Sequence, residues 1–276
     1  MIESSFTGVG GFNIATRSWQ PAGPAKAVVV IVPGFNSHSG YYAWVASEFI
    51  AHSMAVYAID LRGRGKSDGE RFYVQQFDDY VNDVASFVAI VKKQEPGLPV
   101  FMLGHSAGGV VACNYTLDHQ AELSGLICES FAYKVPAPAF ALAVLKGLSH
   151  IAPHAHVLKL HNEDFSRDPE IVRVMNNDPL IAHEVQPTQT VAAMVRADER
   201  LDRDLPQIRL PLLILHGTKD KATKPSGSEH FYAVAASTDK TLKLYEGYYH
   251  DPLNDLGKET VIADIISWIG LRAGAQ

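Results

Sequence analysis

The pentapeptide GHSAG at residues 104–108 places Ser106 directly after the apolar run Val100–Leu103. A stretch of small residues, Gly108–Ala112, follows it and predicts a helix. A G-x-S-x-G pattern between a buried strand and a helix is typical of a nucleophilic serine held on a sharp turn. Such a turn exposes the serine Oγ above the sheet. It also directs the Ala107 N–H, at the helix N-terminus, towards a developing oxyanion.

A serine nucleophile requires a general base, and the base requires an acid that orients it. When the serine lies on this kind of turn, the acid comes next along the chain and the histidine comes last. Asp220 follows the strand-like run Leu212–Leu215, and His250 follows the run Leu242–Tyr245. Order and spacing therefore predict a catalytic triad of Ser106, Asp220 and His250.

The oxyanion needs a second backbone donor besides Ala107. We expect it in the loop after the run Val28–Val32, where Gly34 allows the backbone to turn towards the serine. The Phe35 N–H is assigned to this role, and His38 is expected to brace the loop through a hydrogen bond. Candidate substrate contacts are Phe35, His105, Phe131, Phe140 and Leu145.

Short apolar runs without alternation recur along the chain and predict a parallel sheet that is buried on both faces. They occupy Ala27–Val32, Ala55–Ile59, Val100–Leu103, Leu123–Cys128, Leu212–Leu215 and Thr241–Tyr245. Apolar residues at helical spacing from Phe77 to Val91 predict an amphipathic helix. Residues 4–19 alternate around two glycines and predict an antiparallel hairpin. Together these elements predict a doubly wound α/β fold.

The alternation of strands and helices stops after about residue 130 and resumes near residue 207. Val135–Leu145 carries no charge over eleven residues, which is too short to span a bilayer. We interpret residues 1–130 and 207–276 as the core and residues 131–206 as an inserted helical cap. Two roles stay open for the apolar segment: it packs onto the core, or it forms a lid that faces lipid or an acyl group.

Composition restricts the partners. The 276 residues carry a net charge of −6 and no basic block, so nucleic acid is not expected as a partner. No signal peptide and no long apolar span are apparent, which predicts a cytoplasmic protein that contacts a membrane only transiently through its cap. Neither a metal nor an organic cofactor is expected. The histidines of the cap are not spaced relative to carboxylates as metal ligands are; these histidines are His150, His154, His156 and His161. The oligomeric state stays open.

Five segments together resemble the monoacylglycerol lipase and lysophospholipase branch of the α/β-hydrolases. They are GFNSHSGYY (34–42), DLRGRGKSDGER (60–71), NDPL (177–180), HGTKD (216–220) and YEGYYH (245–250), and the resemblance runs from about residue 28 to residue 268. It implies an α/β-hydrolase fold and hydrolysis of a small-molecule acyl ester through an acyl-enzyme on Ser106, with no cofactor.

Several related activities stay open beside monoacylglycerol hydrolysis: a small-ester carboxylesterase, a lysophospholipase, a thioesterase, an aminopeptidase and a non-catalytic receptor. The chain departs from the family pattern at three positions. Pro33 stands where the family usually has His, Arg64 also replaces a His, and Phe35 replaces a small residue. We expect the bulky Phe35 to narrow the acyl pocket.

Overall fold

The computed structural model describes residues 1–133 and 139–274, without the side chains of residues 139–141. Its centre is an eight-stranded sheet. The strands are β1 (Ile2–Thr7), β2 (Asn13–Trp19), β3 (Ala27–Val32), β4 (Met54–Ile59), β5 (Val100–His105), β6 (Gly125–Glu129), β9 (Leu212–Gly217) and β10 (Lys240–Tyr245). A separate antiparallel pair consists of β7 (His156–Leu158) and β8 (Gln186–Pro187).

The strand order in the sheet is β1-β2-β4-β3-β5-β6-β9-β10. The first hairpin, β1 with β2, is antiparallel, and β2 also pairs antiparallel with β4. All the other pairs of adjacent strands in this sheet, from β4–β3 to β9–β10, are parallel. The predicted α/β-hydrolase fold is therefore confirmed. Several strand bounds differ from the predicted runs by one or two residues. Strand β6, for example, begins only at Gly125, because Leu123 closes a 3-10 turn onto the Gln120 carbonyl.

Helices cover both faces of this sheet, which explains why β3, β4 and β5 are buried at every residue. The helices are α1 (Ala43–Ala51), α2 (Phe77–Gln94), α3 (Ala107–His119), α4 (Ala139–Leu148), α5 (Pro169–Asn177), α6 (Thr188–Asp204), α7 (Pro225–Val234) and α8 (Lys258–Ala273). One apolar cluster joins alternate residues of β3 to α2, α3 and α7. A second cluster joins the other residues of β3 to α1 and α8.

The chain between β6 and β9 adds no strand to the main sheet within its described residues. It contributes α4, β7, α5, β8 and α6, and α6 packs against both α3 and α4. The apolar segment Val135–Leu145 enters α4 at Ala139, and residues 134–138 lie outside the described part. Among the described residues, no helix combines the length and the apolar character that crossing a bilayer requires.

Helix α3 approaches the edges of β3 and β5 closely at two glycines. A Cβ on Gly108 would lie 2.1 Å from the Val32 carbonyl oxygen, and one on Gly104 would lie 2.6 Å from the Gly108 carbonyl oxygen. Both distances are far shorter than van der Waals contact, so any side chain would displace the helix from the sheet. The glycines thereby fix where α3 begins relative to the parallel strands.

We predict that Gly108→Ala lowers the free energy of unfolding by about 1–3 kcal/mol, because the added methyl overpacks a backbone contact. Gly147→Ala is the matched control: it lies in α4 with no described atom within 4 Å of its added Cβ. Alanine in that open helical position should stabilise slightly. Urea unfolding of both variants checks this, and equal midpoints for the two would contradict it.

Candidate active site

Ser106 connects the last residue of β5 to the first residue of α3 in a strained conformation. Its φ is 54° and its ψ is −121°, in a region that a residue with a side chain rarely adopts. Such strain costs about 1–3 kcal/mol and persists only where the surrounding structure imposes it. Here the Ser106 N–H donates to the Glu129 carbonyl over 2.9 Å, and the Ser106 carbonyl accepts from Gly109.

The structure brings Ser106, His250 and Asp220 into one hydrogen-bonded chain. His250 Nε2 lies 2.8 Å from Ser106 Oγ, and His250 Nδ1 lies 2.8 Å from Asp220 Oδ2. The imidazole and the carboxylate are buried side chains. A serine, an imidazole and a carboxylate in this order can transfer the hydroxyl proton to the ring while the carboxylate fixes the tautomer.

Asp220 is held ionised by a dense set of donors. Its Oδ1 accepts from the N–H groups of Ala222 and Thr223, and its Oδ2 lies 2.8 Å from Thr223 Oγ1 and 3.0 Å from His216 Nε2. Burial alone would raise the pKa of Asp220. The charge of His250 and the hydrogen bonds of both histidines outweigh burial and hold that pKa well below its usual range.

His250 is fixed by contacts from the inserted chain between β6 and β9. The Phe165 ring meets the His250 ring edge to face, with 4.8 Å between the centroids and 87° between the planes. The Asp251 N–H donates to the Phe165 carbonyl over 2.8 Å. These contacts pack the base against an apolar ring and hold its loop in place.

The two residues assigned to the oxyanion hole lie beside the serine. Phe35 and Ala107 line the same cavity as Ser106 and His250. The preceding loop lies directly on the turn, since a Cβ on Gly34 would be 2.8 Å from Ser106 Cβ. Ala107 begins α3, so its N–H has no partner within the helix and is positioned for an anion at the helix N-terminus.

Two of the departures from the family pattern form one packed unit. The Arg64 guanidinium stacks over the Phe35 ring, 3.9 Å from its centroid. Arg64 also forms a fully buried ion pair with Glu184 and a 2.6 Å hydrogen bond to Gln186. Glu184 accepts the Asn36 N–H over 3.1 Å, so the same carboxylate holds the oxyanion loop. Sequence reasoning missed Glu184 and Gln186, which lie about 120 residues after Arg64.

His38 braces the loop as the sequence suggested, through a partner in the NDPL motif. The Gly40 N–H donates to His38 Nδ1 over 3.0 Å, so the neutral ring carries its proton on Nε2, 2.8 Å from Asp178 Oδ2. Tyr41 donates to the same oxygen over 2.8 Å. Although burial opposes ionisation, hydrogen bonds from His38, Leu180 N and Tyr41 lower the pKa of Asp178.

The cavity at Ser106 has a volume of about 40 Å³. Its wall comes largely from apolar residues between β6 and β9, namely Leu158, Leu160, Val191, Met194 and Val195. Asp198 is the one acidic side chain among the described lining residues. These contacts are not predictable from the sequence, because only the fold of α6 and of the chain around β7 brings them to the cavity at Ser106.

Most of the predicted substrate contacts lie elsewhere. His105 is fully buried beneath the serine, and Phe131 is in the core between Tyr133 and Phe231, so neither lines the cavity. Leu145 is half-buried on α4 and does not line it either. The Phe140 side chain lies outside the described residues. Of the predicted contacts whose side chains the structure describes, only Phe35 lines the cavity, and the described apolar wall comes from α6 and the β7 region.

Comparisons with known proteins agree with this geometry. Residues 23–257 match the Hydrolase_4 family, described as serine aminopeptidase, S33. The chain is 34% identical to a monoacylglycerol lipase of Mycolicibacterium smegmatis over 97% of its own length and 96% of that protein. It is 33% identical to human monoglyceride lipase over 95% of its own length and 88% of that protein. A crystal structure of a Paleococcus ferrophilus monoacylglycerol lipase superposes with a TM-score of 0.84 at 28% sequence identity. The superposition covers 93% of this chain and 98% of that one.

We predict that Glu184→Gln lowers the free energy of unfolding by about 3–5 kcal/mol, because it leaves the Arg64 charge buried and uncompensated. Glu170→Gln is the matched control, since it breaks an exposed ion pair with Arg173 on α5 and should leave stability unchanged. Denaturant unfolding distinguishes the two. A Glu184→Gln protein as stable as the control would show that Arg64 is not held by this pair.

Proposed function

The chain belongs to the Hydrolase_4 family of serine α/β-hydrolases, and on that premise we propose that it hydrolyses monoacylglycerol-like esters through an acyl-enzyme on Ser106. The observation that supports this most directly is the hydrogen-bonded chain from Ser106 through His250 to Asp220 beside an apolar cavity. Relatives over 30% identical along nearly the whole chain are monoacylglycerol lipases, which supports an ester as substrate.

In the first half of the reaction, Ser106 Oγ attacks the ester carbonyl carbon while His250 Nε2 accepts its proton. The carbonyl oxygen becomes an oxyanion that accepts hydrogen bonds from the Phe35 and Ala107 N–H groups. Each such donor is worth about 3–4 kcal/mol in the transition state. The Asp220 carboxylate stabilises the imidazolium that forms. His250 then protonates the leaving alkoxide, and glycerol departs.

In the second half, water attacks the acyl carbon of the Ser106 ester. His250 takes a proton from that water, and the same two N–H groups hold the second oxyanion. Collapse of this intermediate returns the proton to Ser106 Oγ and releases the fatty acid. The chain supplies the nucleophile, the base and the oxyanion donors of both halves.

We further propose that residues 131–206 act as a cap whose displacement admits the acyl chain. A cavity of about 40 Å³ holds only a few water molecules and is far smaller than a typical ligand pocket of roughly 300–1,000 Å³. Its apolar wall comes from that segment, including Val191 and Met194. Movement of this wall would lengthen the cavity without disturbing Ser106 or the oxyanion loop.

One observation favours an aminopeptidase as a second candidate. Asp198 lines the cavity, and its Oδ1 is buried without a hydrogen-bond partner. Burial, with the charges of Asp202 and Glu199, raises the pKa of Asp198 well above its usual range. A substrate with an ammonium group would supply the missing partner. An aminopeptidase would therefore turn over aminoacyl substrates, which an ester lipase would not.

The first experiment measures turnover of monooleoylglycerol, lysophosphatidylcholine, an acyl-CoA, aminoacyl anilides and p-nitrophenyl esters from acetate to palmitate. We expect monooleoylglycerol and medium to long esters to be the best substrates. Ser106→Ala should lower kcat by more than about 10⁴-fold, because the nucleophile is removed. Ser130→Ala is the matched control, since the Ser130 Oγ is buried without a partner and lies outside the proposed machinery.

The pattern of turnover separates the candidates. Activity confined to acetate and butyrate would indicate a small-ester carboxylesterase with a pocket narrowed at Phe35. Preference for lysophosphatidylcholine, acyl-CoA or the anilides would indicate a lysophospholipase, a thioesterase or an aminopeptidase instead. Absence of turnover, with no fluorophosphonate labelling of Ser106, would indicate a non-catalytic receptor and contradict the proposal.

We also propose that the protein contacts a membrane surface through the apolar side chains at the end of α4. Val144 is 66% exposed and Ile151 is 85% exposed, and Leu148 lies between them along the chain. Helix α4 packs on α6, which lines the cavity, so an apolar surface there would bring a monoacylglycerol in the bilayer towards Ser106.

We predict that Ile151→Glu weakens binding to phosphatidylcholine vesicles, and lowers turnover of monooleoylglycerol presented in them, by about tenfold. Hydrolysis of p-nitrophenyl butyrate in solution should not change. Leu271→Glu is the matched control, because Leu271 on α8 is 76% exposed and lies far along the chain from the inserted segment. Equal loss of vesicle binding in the two variants would count against this surface.

A further inference from the structure

A carboxyl group interrupts the apolar wall of the cavity at Ser106. Asp198 lies on α6 and lines the cavity together with Val191, Met194 and Val195 of the same helix. Asp198 follows Val191 by seven residues, and the other two follow it by three and four, so all four side chains lie on one stripe of α6. A carboxyl group therefore occupies a position at which an acyl-binding wall calls for another apolar side chain.

The Asp198 carboxyl group is not used by the protein itself. Its Oδ1 is buried and has no hydrogen-bond partner among the described residues. The nearest arginine towards the end of α6, Arg200, forms its ion pairs with Asp118 and Asp204 instead. A buried acceptor without a partner costs free energy, and a ligand that supplies the partner recovers it on binding.

The surroundings of Asp198 favour a neutral partner. Burial, followed by the charges of Asp202 and Glu199, raises the pKa of Asp198 well above its usual range. A protonated carboxyl group donates one hydrogen bond and accepts another, as a hydroxyl group does. An ammonium group costs more than a hydroxyl group to bury among apolar side chains.

Asp198 lies at the end of the stripe that is farther from the oxyanion loop. At the start of α6, Thr190 Oγ1 donates to the Phe72 carbonyl over 2.9 Å. The Phe72 ring centroid is 5.8 Å from the Arg64 guanidinium carbon, and Arg64 stacks over Phe35. Asp198 comes eight residues after Thr190, about 12 Å further along the helix. A substrate whose carbonyl oxygen accepts from the Phe35 N–H therefore passes the apolar side chains of the stripe before it meets this carboxyl group.

We propose that Asp198 is a specificity-determining residue that hydrogen-bonds a hydroxyl group on the acyl chain, so that hydroxyacyl esters are preferred to plain esters of the same length. The inference rests on the ester hydrolysis proposed above and names the acyl group it selects. The apolar part of the stripe suits the hydrocarbon between the carbonyl and the hydroxyl group. A plain acyl chain would fill the same space and leave the carboxyl group unpaired.

The test compares kcat/KM for p-nitrophenyl decanoate with that for decanoates carrying a hydroxyl group on the β carbon, a middle carbon or the terminal carbon. These esters contain no glycerol, so the comparison reports on the acyl chain alone. Wild type should prefer one of the hydroxy esters by about 10–100-fold, because only that ester pairs the buried carboxyl group.

Two variants of Asp198 separate hydrogen bonding from shape. Asp198→Val should reduce the preference to within about twofold, because an apolar pocket hardly discriminates an added hydroxyl group. Asp198→Asn should keep most of it, since the amide also donates and accepts. Asp204→Val is the matched control: it removes a carboxyl group from the same helix that does not line the cavity, and should keep the wild-type ratio.

A wild type without preference for any hydroxy ester, or an unchanged ratio in Asp198→Val, would overturn the proposal. Loss of anilide turnover in Asp198→Val, with no preference among the esters, would also overturn it and favour the aminopeptidase. Turnover of plain decanoate, lost in Ser106→Ala, tests the reaction separately.

Binding gives a second readout that does not depend on turnover. In the Ser106→Ala background, the preferred hydroxy ester should raise the melting temperature more than plain decanoate does, and Asp198→Val should abolish the difference. Equal shifts for the two esters with Asp198 intact would contradict the proposal even if no ester is hydrolysed. Asp198→Val should fold, because the valine replaces a carboxyl group whose buried oxygen has no described partner.

Discussion

The left-handed backbone of Ser106 is the constraint from which the arrangement of the site follows. A residue with a side chain adopts this conformation only when its neighbours leave no alternative. Two contacts impose this conformation on Ser106. Helix α3 lies closely on β3 at Gly108, and the Ser106 N–H donates to the carbonyl of Glu129 at the end of β6. Because both constraints fix the turn, Ser106 Oγ and the Ala107 N–H have defined directions before any substrate arrives.

The inserted chain between β6 and β9 completes the site in addition to covering it. Glu184 holds Arg64 and the oxyanion loop, Asp178 holds His38, and the Phe165 ring packs on His250. The first two contacts hold the oxyanion loop and the third holds the base. A displacement of the apolar wall that admits an acyl chain must therefore leave these three anchoring points in place, or it would release the donors and the base together.

Burial and hydrogen bonding, rather than surface ion pairs, determine which side chains of the site are ionised. Asp220 keeps its charge because donors surround it, whereas burial and the charges of Asp202 and Glu199 oppose ionisation of Asp198. The Arg64 guanidinium is tolerated at full burial because Glu184, Gln186 and the Phe35 ring accept it on several sides. Phe35 and Arg64 therefore pack as one unit.

The sequence by itself determined the fold class and the order of the triad candidates. Apolar runs without alternation are a local signal of parallel strands covered on both faces, and Ser106, Asp220 and His250 each follow such a run directly. The positions of residues relative to strand ends can therefore be read without any tertiary information.

Only the tertiary structure decided which side chains surround those three. The apolar wall comes from α6 and the β7 region, and His105 and Phe131, both candidate substrate contacts from the sequence, lie buried outside the cavity. Glu184 pairs with Arg64 across 120 positions, and the Glu129 carboxylate accepts the Leu253 N–H across 124 positions. Such pairs leave no periodic trace in the sequence, because their partners are selected by how the strands and the insertion pack.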